Sequence, residues 1–284
     1  MRTILVPIDF SKSAKHAAKY AAMVAKQLNA NITFLHIYAI PIVSEYNLPP
    51  GVEQYIHQNQ LDAEVQLQQF VNEFVGYSKI PADRISQRID YGFIAEKVVD
   101  ISKKEKASLI IMGTKGISDA FDRWIGTIAQ KVMNISDCPV WIIPEEAPIK
   151  FPQQFVYAAD FKADELNTQH KIWNLIQLFD AKCNVLHINK NHETHDDAGL
   201  EMEVEPLKIG AGDKFLSIRN IKGKSIIEGL ETFIKSSKPD VLILAHYDKP
   251  FLTKIFEPSV SKHFVQEAKL PILIISKNKN LFFD

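Results

Sequence analysis

One stretch, Leu109-Ile-Ile-Met-Gly-Thr-Lys-Gly116 followed after nine residues by Gly126-Thr127, decides the fold class of this chain. Its apolar start predicts a buried strand, and Ile128 and Val132 at helical spacing predict a helix over 126–135. The glycines therefore lie between a strand and a helix N-terminus, where α/β proteins present backbone N–H groups and a positive dipole end to an anion. Because glycine has no Cβ, the backbone can turn sharply there and approach a phosphate. A phosphate-binding loop is favoured over the alternative of a simple turn.

The start of that helix carries a second signal. Thr127 and Gln130 match the capping-box pattern, in which an N-cap Ser or Thr and a Gln or Glu three residues later bond each other's backbone. We therefore expect Thr127 to cap the helix.

Strand-like and helix-like runs alternate throughout the first half of the chain. The predicted strands are 3–8, 31–37, 85–90, 108–112 and 139–143, and the predicted helices are 12–28, 53–77, 93–105 and 126–135. This alternation predicts a parallel sheet with right-handed helical crossovers. Several strands are apolar without alternation, which is typical of strands covered by helices on both faces.

The second half of the chain repeats the first. His36 aligns with His187 at an offset of 151 (187 − 36), and Met112 aligns with Leu244 at an offset of 132 (244 − 112). The drop of 19 (151 − 132) places an extra stretch in the first half, and 52–77 is predicted to be a long amphipathic helix. The matching stretch 189–213 is polar and is predicted to be a loop.

A repeat of this size indicates two copies of one domain, over residues 1–146 and 152–284. It does not indicate a solenoid of short repeats, whose period is much smaller.

The glycine pattern resembles the nucleotide-binding signature of the universal stress protein family, Gly-x2-Gly-x9-Gly-Ser/Thr. The opening Ile4-Leu-Val-Pro-Ile-Asp-Phe-Ser11 resembles the family's first strand and its acidic end, Phe34-Leu-His-Ile37 its second strand, and Cys138-Pro-Val-Trp-Ile-Ile143 its last. The resemblance covers about the first 145 residues, the size of one ordinary domain. It implies an α/β fold with two tandem Rossmann-like domains, each an open five-stranded parallel sheet in the order 3-2-1-4-5 with helices on both faces.

In open sheets of this kind, ligands bind at the carboxyl ends of the strands where the strand order reverses. The implied order makes the first and fourth strands neighbours, so Asp9 and Gly113 would face one crevice. Asp9 would accept ribose hydroxyls or the adenine edge, and Lys115 would reach phosphates as a point charge. The alternatives are a turn acid beside Ser11 and a solvated loop lysine.

The resemblance implies ATP as the ligand, with ADP and AMP as alternatives, with or without Mg²⁺. The expected binding residues share positions at the ends of the first, second and fourth strands and in the glycine loop; they are Pro7, Ile8, Asp9, Ile37, Met112, Gly113, Lys115, Gly116, Gly126, Thr127 and Ile128.

The second copy has lost the glycine pattern. At the positions of Gly113, Gly116, Gly126 and Thr127 it has Ala245, Asp248, Pro258 and Ser259. Proline removes an N–H donor, and an aspartate near a polyphosphate repels it. We therefore expect nucleotide in the first domain only. The family's dimerisation through last strands implies that 140–143 and 272–275 pair within one chain, and a homodimer of the whole chain is a further expectation.

The expected function is a stress-response regulator whose conformation or partner choice depends on bound nucleotide. The sequence shows no Ser-His-Asp set and no Walker loop, so slow ATP hydrolysis or autophosphorylation is the most chemistry expected. Two alternatives stay open: an interaction module without nucleotide, and an enzyme that transfers adenylate, although no His-x-Gly-His or Ser-Gly-Gly motif occurs.

Composition narrows the functional classes. The formal net charge is −1, which gives no general attraction to nucleic acid or to an anionic membrane. No apolar run reaches the roughly 20 residues of a membrane helix, and the N-terminus does not resemble a signal peptide, so a cytoplasmic protein is expected. Cys138 and Cys183 are expected to be buried reduced thiols, and His36 and His187 core histidines. His192 and His195 are read as parts of a solvated loop rather than metal ligands.

Overall fold

A computed structural model describes residues 2–38, 52–114, 125–159, 172, 174–190, 203–206, 216–223, 226–245 and 269–275. Its strands are β1 (Thr3–Pro7), β2 (Asn31–Tyr38), β3 (Ile85–Tyr91), β4 (Leu109–Gly113), β5 (Val140–Ile143), β6 (Gln154–Ala159), β7 (Lys182–Lys190), β8 (Glu203–Pro206), β9 (Leu216–Gly223), β10 (Val241–Ala245) and β11 (Ile272–Ile275). Its helices are α1 (Lys12–Leu28), α2 (Val52–Ser78), α3 (Ile94–Lys104), α4 (Thr127–Ile135) and α5 (Ile226–Ser237), with a 3₁₀ turn at Ala82–Arg84.

All of these strands form one sheet in the order β3-β2-β1-β4-β5-β11-β10-β6-β7-β9-β8. The first five strands pair in parallel, and their order is the expected 3-2-1-4-5. The fold is therefore α/β with a mainly parallel sheet. Each strand and helix predicted in the first half is present, with ends within one residue of the prediction.

Helix α1 shows why these sequences form these elements. The Ser11 hydroxyl accepts the N–H of Ala14 (3.1 Å) and caps the helix start, while Asn29 ends the helix in the left-handed conformation. The alanines along one side of the helix are all buried against the sheet; they are Ala14, Ala17, Ala18, Ala21, Ala22 and Ala25. Their small side chains let the helix approach the sheet closely.

Each face of the sheet carries its own apolar core. One core lies beneath α1 and α2 and includes Leu67 and Phe74 of the long helix. The other lies beneath α3 and α4 and includes Val98 and Val132. Both cores continue into the second half, where α5 covers the α3 and α4 side. Helices on both faces were predicted, and the long helix expected over 53–77 is α2.

The second half departs from the prediction at its outer edge. Its strands β6, β7, β9, β10 and β11 repeat the first-half order, but β8 adds a sixth strand antiparallel to β9. The prediction of a five-stranded sheet and of a loop over 189–213 is therefore wrong at Glu203–Pro206. Such a four-residue strand carries too few residues for a period-2 pattern to stand out from a polar segment.

The two halves join through their last strands, as expected. Strands β5 and β11 pair antiparallel, with Ile142 opposite Ile272 and Val140 opposite Ile274. Trp141 at this joint is fully buried; its ring lies 5.3 Å from Tyr20 in the first half and 5.8 Å from Phe179 in the second. This pairing covers two apolar strand edges that would otherwise be open to aggregation.

A search of the described helices finds none with the length and apolar character that a bilayer crossing requires.

Candidate functional site: the crevice between β1 and β4

The carboxyl ends of β1 and β4 meet at the point where the strand order reverses. The two strands are direct neighbours, with Ile4 opposite Leu109 and Leu5 opposite Ile110. Chain connections from this point leave in opposite directions, toward β2 through α1 and toward β5 through α4. That divergence opens a crevice at the strand ends.

Helix α4 begins at this crevice, and its start is fixed by the backbone. Gly126 is the N-cap residue, and its N–H donates to the Thr114 carbonyl at 2.6 Å. The first helical bond runs from the Gln130 N–H to the Gly126 carbonyl (3.0 Å). The N–H groups of Thr127, Ile128 and Ala129 lie before this bond and therefore have no carbonyl acceptor within the helix.

The capping-box prediction is wrong. Thr127 is the first helical residue rather than the cap, and among described residues no side chain caps Gly126. The sequence pattern misleads because Thr-x-x-Gln matches the capping box by chance one position inside the helix. Thr127 is exposed at the first turn, and that turn carries no acidic residue.

Gly113 has a packing role that the sequence did not reveal. A Cβ on this residue would lie 2.3 Å from Ser13 Oγ, 2.8 Å from the Ser13 carbonyl carbon and 2.9 Å from its oxygen. The first turn of α1 therefore presses directly on the end of β4. A glycine is needed here by the closeness of the two elements, whatever ligand the crevice holds.

Asp9 lies where β1 gives way to α1. One of its carboxylate oxygens accepts the Ser11 N–H at 3.0 Å, which is the geometry of the turn-acid alternative. The side chain is half-buried at the crevice edge. Pro7 ends β1 opposite Leu35, and the buried Ile8 donates its N–H to the Leu35 carbonyl (2.8 Å), so this edge is tied to β2.

Three of the expected ligand contacts are apolar residues that pack on the core. Ile37 and Met112 are buried in the core beneath α3 and α4, and Ile128 is partly buried against the same core. Lys115 and Gly116 lie outside the described residues. The structure thus brings together Asp9, Gly113 and the start of α4, and it turns the Ile37 and Met112 side chains inward.

Two features of this site were missed by sequence reasoning. Phe10 adopts a left-handed backbone (φ 64°), and its ring lies 4.6 Å from His36. The His36 Nδ1 lies 2.7 Å from the Ile8 carbonyl, so His36 has a polar partner as predicted, but its side chain is half-buried rather than part of the core. The second missed feature is the buried Thr114, whose carbonyl accepts the Gly126 N–H. No sequence signal marks either contact, because each depends on the local backbone path.

The equivalent position of the second half is partly described. Ala245 ends β10 opposite Ile275, as Gly113 ends β4 opposite Ile143. Asp160, Asp248, Pro258 and Ser259 lie outside the described residues, as do His192 and His195. Among the residues that the structure does describe, no cluster of His, Cys, Asp and Glu is arranged to hold a metal ion.

Both cysteines are free thiols. Cys138 donates its S–H to the Ala107 carbonyl (3.3 Å), and desolvation by burial raises its pKa to about 12. Burial also raises the pKa of the Cys183 thiol, which is fully enclosed. Cys138 is half-buried and Cys183 is buried, and both thiols stay protonated at neutral pH, which makes them poor nucleophiles.

Comparison with known proteins agrees with this geometry. The sequence model of the Universal stress protein family matches residues 1–144. The universal stress protein in the QAH/OAS sulfhydrylase 3′ region of Thermus aquaticus is 30% identical over 142 residues, covering 50% of this chain and 98% of that protein. Universal stress protein YxiE of Bacillus subtilis is 27% identical over 146 residues, covering 49% and 97%.

Solved structures extend the likeness to the whole chain. A universal stress protein from Archaeoglobus fulgidus superposes with a TM-score of 0.70 at 14% identity, covering 97% of this chain and 98% of that one. A putative universal stress protein from Pseudomonas aeruginosa gives a TM-score of 0.53 at 14% identity, covering 97% and 93%. At this identity the likeness establishes the fold. Since the family match spans half of the chain, this protein belongs to the universal stress protein family.

Proposed function

We propose that this protein is a cytoplasmic stress-response regulator that binds ATP, or the related ADP or AMP, in the first-half crevice, with or without Mg²⁺. The nucleotide acts as a bound regulator of conformation or partner choice. The free state of both cysteines fits a reducing compartment.

The start of α4 is the observation that carries this proposal. The amides of Thr127, Ile128 and Ala129 point out of the helix N-terminus, at the carboxyl end of β4, with Gly126 as a cap that offers no side chain. Helix α1 begins beside the same crevice, but there the Ser11 hydroxyl already accepts the Ala14 N–H. The Ser11 cap occupies one first-turn amide of α1, whereas no described side chain caps the start of α4, so α4 is the better placed of the two to donate to an anion.

Electrostatics at α4 favours a polyphosphate. The positive end of the helix dipole lies at Gly126, and the first turn carries no acidic residue that would compete with a phosphate. The Gly126–Thr114 bond pins both ends of the glycine loop, so the amides are held in place before a ligand arrives. Lys115 and Gly116 belong to that loop and would complete the cradle.

Asp9 suits the sugar or base end of the ligand. It stands at the neighbouring strand end, and its Ser11 contact orients the carboxylate without neutralising it. An orienting N–H and a ribose hydroxyl can both be accepted by one ionised carboxylate, which offers about four lone-pair sites.

We infer further that the chain consists of two tandem domains, over 1–146 and 152–284, of which only the first binds nucleotide. Asp248 and Pro258, which stand at the positions of Gly116 and Gly126, support this asymmetry. The second domain then has a structural role, because β11 covers the edge of β5.

Calorimetric titration of ATP into the intact chain and two variants, Thr127→Asp and Thr127→Asn, tests the proposal. Both variants are close in size, and Thr127 is exposed, so the variants differ mainly in charge. We expect one ATP per chain for the wild type. In Thr127→Asp, repulsion of about 1–2 kcal/mol should weaken binding about 5- to 30-fold, whereas Thr127→Asn should bind within about twofold of wild type.

The unliganded stability of these variants excludes misfolding as the cause. An acidic residue in the first helical turn favours the helix dipole by about 0.3–1 kcal/mol, so Thr127→Asp should melt at or above the wild-type temperature. Equal ATP affinity in both variants would refute the proposed site. Absence of ATP binding to the wild type would favour the interaction-module alternative.

A further inference from the structure

The two outer edges of the sheet differ. In the second half, β9 is covered by the antiparallel strand β8. In the first half, β3 occupies the equivalent position and is the outermost strand among the described residues. Beside it lies a groove of about 800 Å³ between β3 and the overhanging α2, lined by residues such as Glu64, Val65, Gln87 and Tyr91. The second half therefore shows how an edge of this architecture accepts an antiparallel strand.

The backbone groups of the odd-numbered β3 residues point away from β2, although two of the N–H groups already have partners within the chain. The Tyr91 N–H donates to its neighbour Asp90 (2.7 Å) and the Ile85 N–H to the Ala82 carbonyl, whereas the Gly92 N–H reaches inward to Tyr38 of β2 (3.3 Å). Because backbone groups alternate in direction along a strand, Gln87 and Ile89 also direct theirs away from β2.

The charges on β3 select one register for pairing with a second copy of itself. Placing Ile89 opposite Ile89 of a second copy puts each Arg88 opposite an Asp90, and each Gln87 opposite a Tyr91. Sliding one strand along the other by two residues would instead place Arg88 opposite Arg88 or, in the other direction, Asp90 opposite Asp90. Opposite charges directly across two strands stabilise the pairing, and like charges destabilise it.

Existing ion pairs extend this complementarity. Arg88 lies 2.8 Å from Glu105, and Asp90 lies 3.0 Å from Lys97. In the selected register, each Arg88 would also pair with Asp90 of the second copy. This contact would join the two existing ion pairs into a network of four alternating charges on the α3 face of the sheet.

Helix spacing permits this arrangement. Helix α2 lies over β2 and β3, since Phe70 packs on Phe34 (5.0 Å) and Gln68 bonds Gln87 (2.7 Å). Across a β3–β3 pair, the axes of the two α2 helices would be two strand spacings apart, about 9.6 Å. Packed helices lie about 8–10 Å apart. The exposed Leu61 and Val65 would then be buried between the two helices.

We propose that two copies of this chain pair antiparallel through β3, centred on Ile89, to form a dimer with one continuous sheet. This interface is separate from the nucleotide crevice and from the β5–β11 joint, and it does not depend on nucleotide binding.

Charge reversal with rescue by mixing tests the proposal. Sedimentation analysis of the full chain is made for the wild type, Arg88→Asp and Asp90→Arg, from about 1 μM to about 100 μM. We expect the wild type to reach twice the chain mass. Each variant alone opposes like charges at two sites, so its dissociation constant should rise at least about 100-fold. In an equimolar mixture, the two acidic side chains of one variant lie opposite the two basic side chains of the other, so dimers should form again.

Lys235→Asp is the matched control, because it reverses an exposed charge on α5 in the second half and should dimerise as the wild type does. Added salt should weaken the wild-type dimer, since the pairs lie at an exposed edge. A monomeric wild type would overturn the proposal. So would single variants that dimerise normally, which would place the interface elsewhere, or a mixture of folded variants that stays monomeric.

Discussion

Replacing Gly113 by alanine tests the packing of α1 against β4. The added Cβ would lie 2.3 Å from Ser13 Oγ and 2.8 Å from the Ser13 carbonyl carbon, whereas non-bonded carbon atoms prefer about 3.5–4.0 Å. Rotation of the Ser13 side chain cannot relieve the contacts with its backbone, so α1 must move. Overpacking of this kind costs about 1–3 kcal/mol. At about 2–4 °C per kcal/mol, the melting temperature should fall by about 2–12 °C.

Gly76→Ala is the matched control and should shift stability in the opposite direction. Gly76 lies in α2, is exposed, and has nothing within 4 Å of an added Cβ. Alanine in a helix interior is favoured over glycine by about 0.5–1 kcal/mol. Thermal unfolding followed by circular dichroism, without nucleotide, measures both variants. If Gly113→Ala melts at the wild-type temperature, the glycine is not required by packing and the argument fails.

Two further predictions concern the joint and the thiols. Leu273 is fully buried opposite Trp141, so Leu273→Ala should lower the free energy of unfolding by about 2–5 kcal/mol in a urea titration, and a loss below about 1 kcal/mol would contradict its place in the core. Burial holds the pKa of Cys138 at about 12, above the ordinary thiol value of 9.0. Its stabilising contribution is thus complete below pH 9 and is lost as the pH rises from 9 toward 12. Native protein at about pH 8 should therefore resist alkylation, whereas rapid labelling of both cysteines before unfolding would show that they are exposed.

Local sequence signals predicted most of the first half. Apolar runs predicted the buried strands β1, β4 and β5, and the buried Leu67, Phe70 and Phe74 of α2 recur at helical spacing. Interior strands and long helices are specified by their own residues, because burial on both faces or along one stripe imposes the pattern. The Cys138-Pro-Val-Trp run predicted the strand that joins the halves for the same reason.

Features that depend on distant contacts could not be predicted in this way. Gly113 was interpreted through phosphate binding, yet its closest neighbour is Ser13, which is one hundred residues earlier in the chain. The sequence reports that a glycine is present but not which atoms require it. Strand β8 was missed because an edge strand is stabilised by its partner β9 rather than by its own pattern.

The site itself was predicted as a location rather than as a geometry. The meeting of Asp9, Gly113 and the α4 start follows from the strand order, which the family resemblance implied. The cap at Gly126 and its bond to Thr114 depend on backbone angles (φ −64°, ψ 157°) that no residue pattern reports.

Amide hydrogen exchange with and without ATP tests the central claim most directly, because it observes the amides that would hold the polyphosphate. We expect ATP to slow exchange at Thr127, Ile128 and Ala129, with no slowing at the start of α5 or elsewhere in the second half. Unchanged exchange at these three amides under saturating ATP, or protection confined to the second half, would contradict the account.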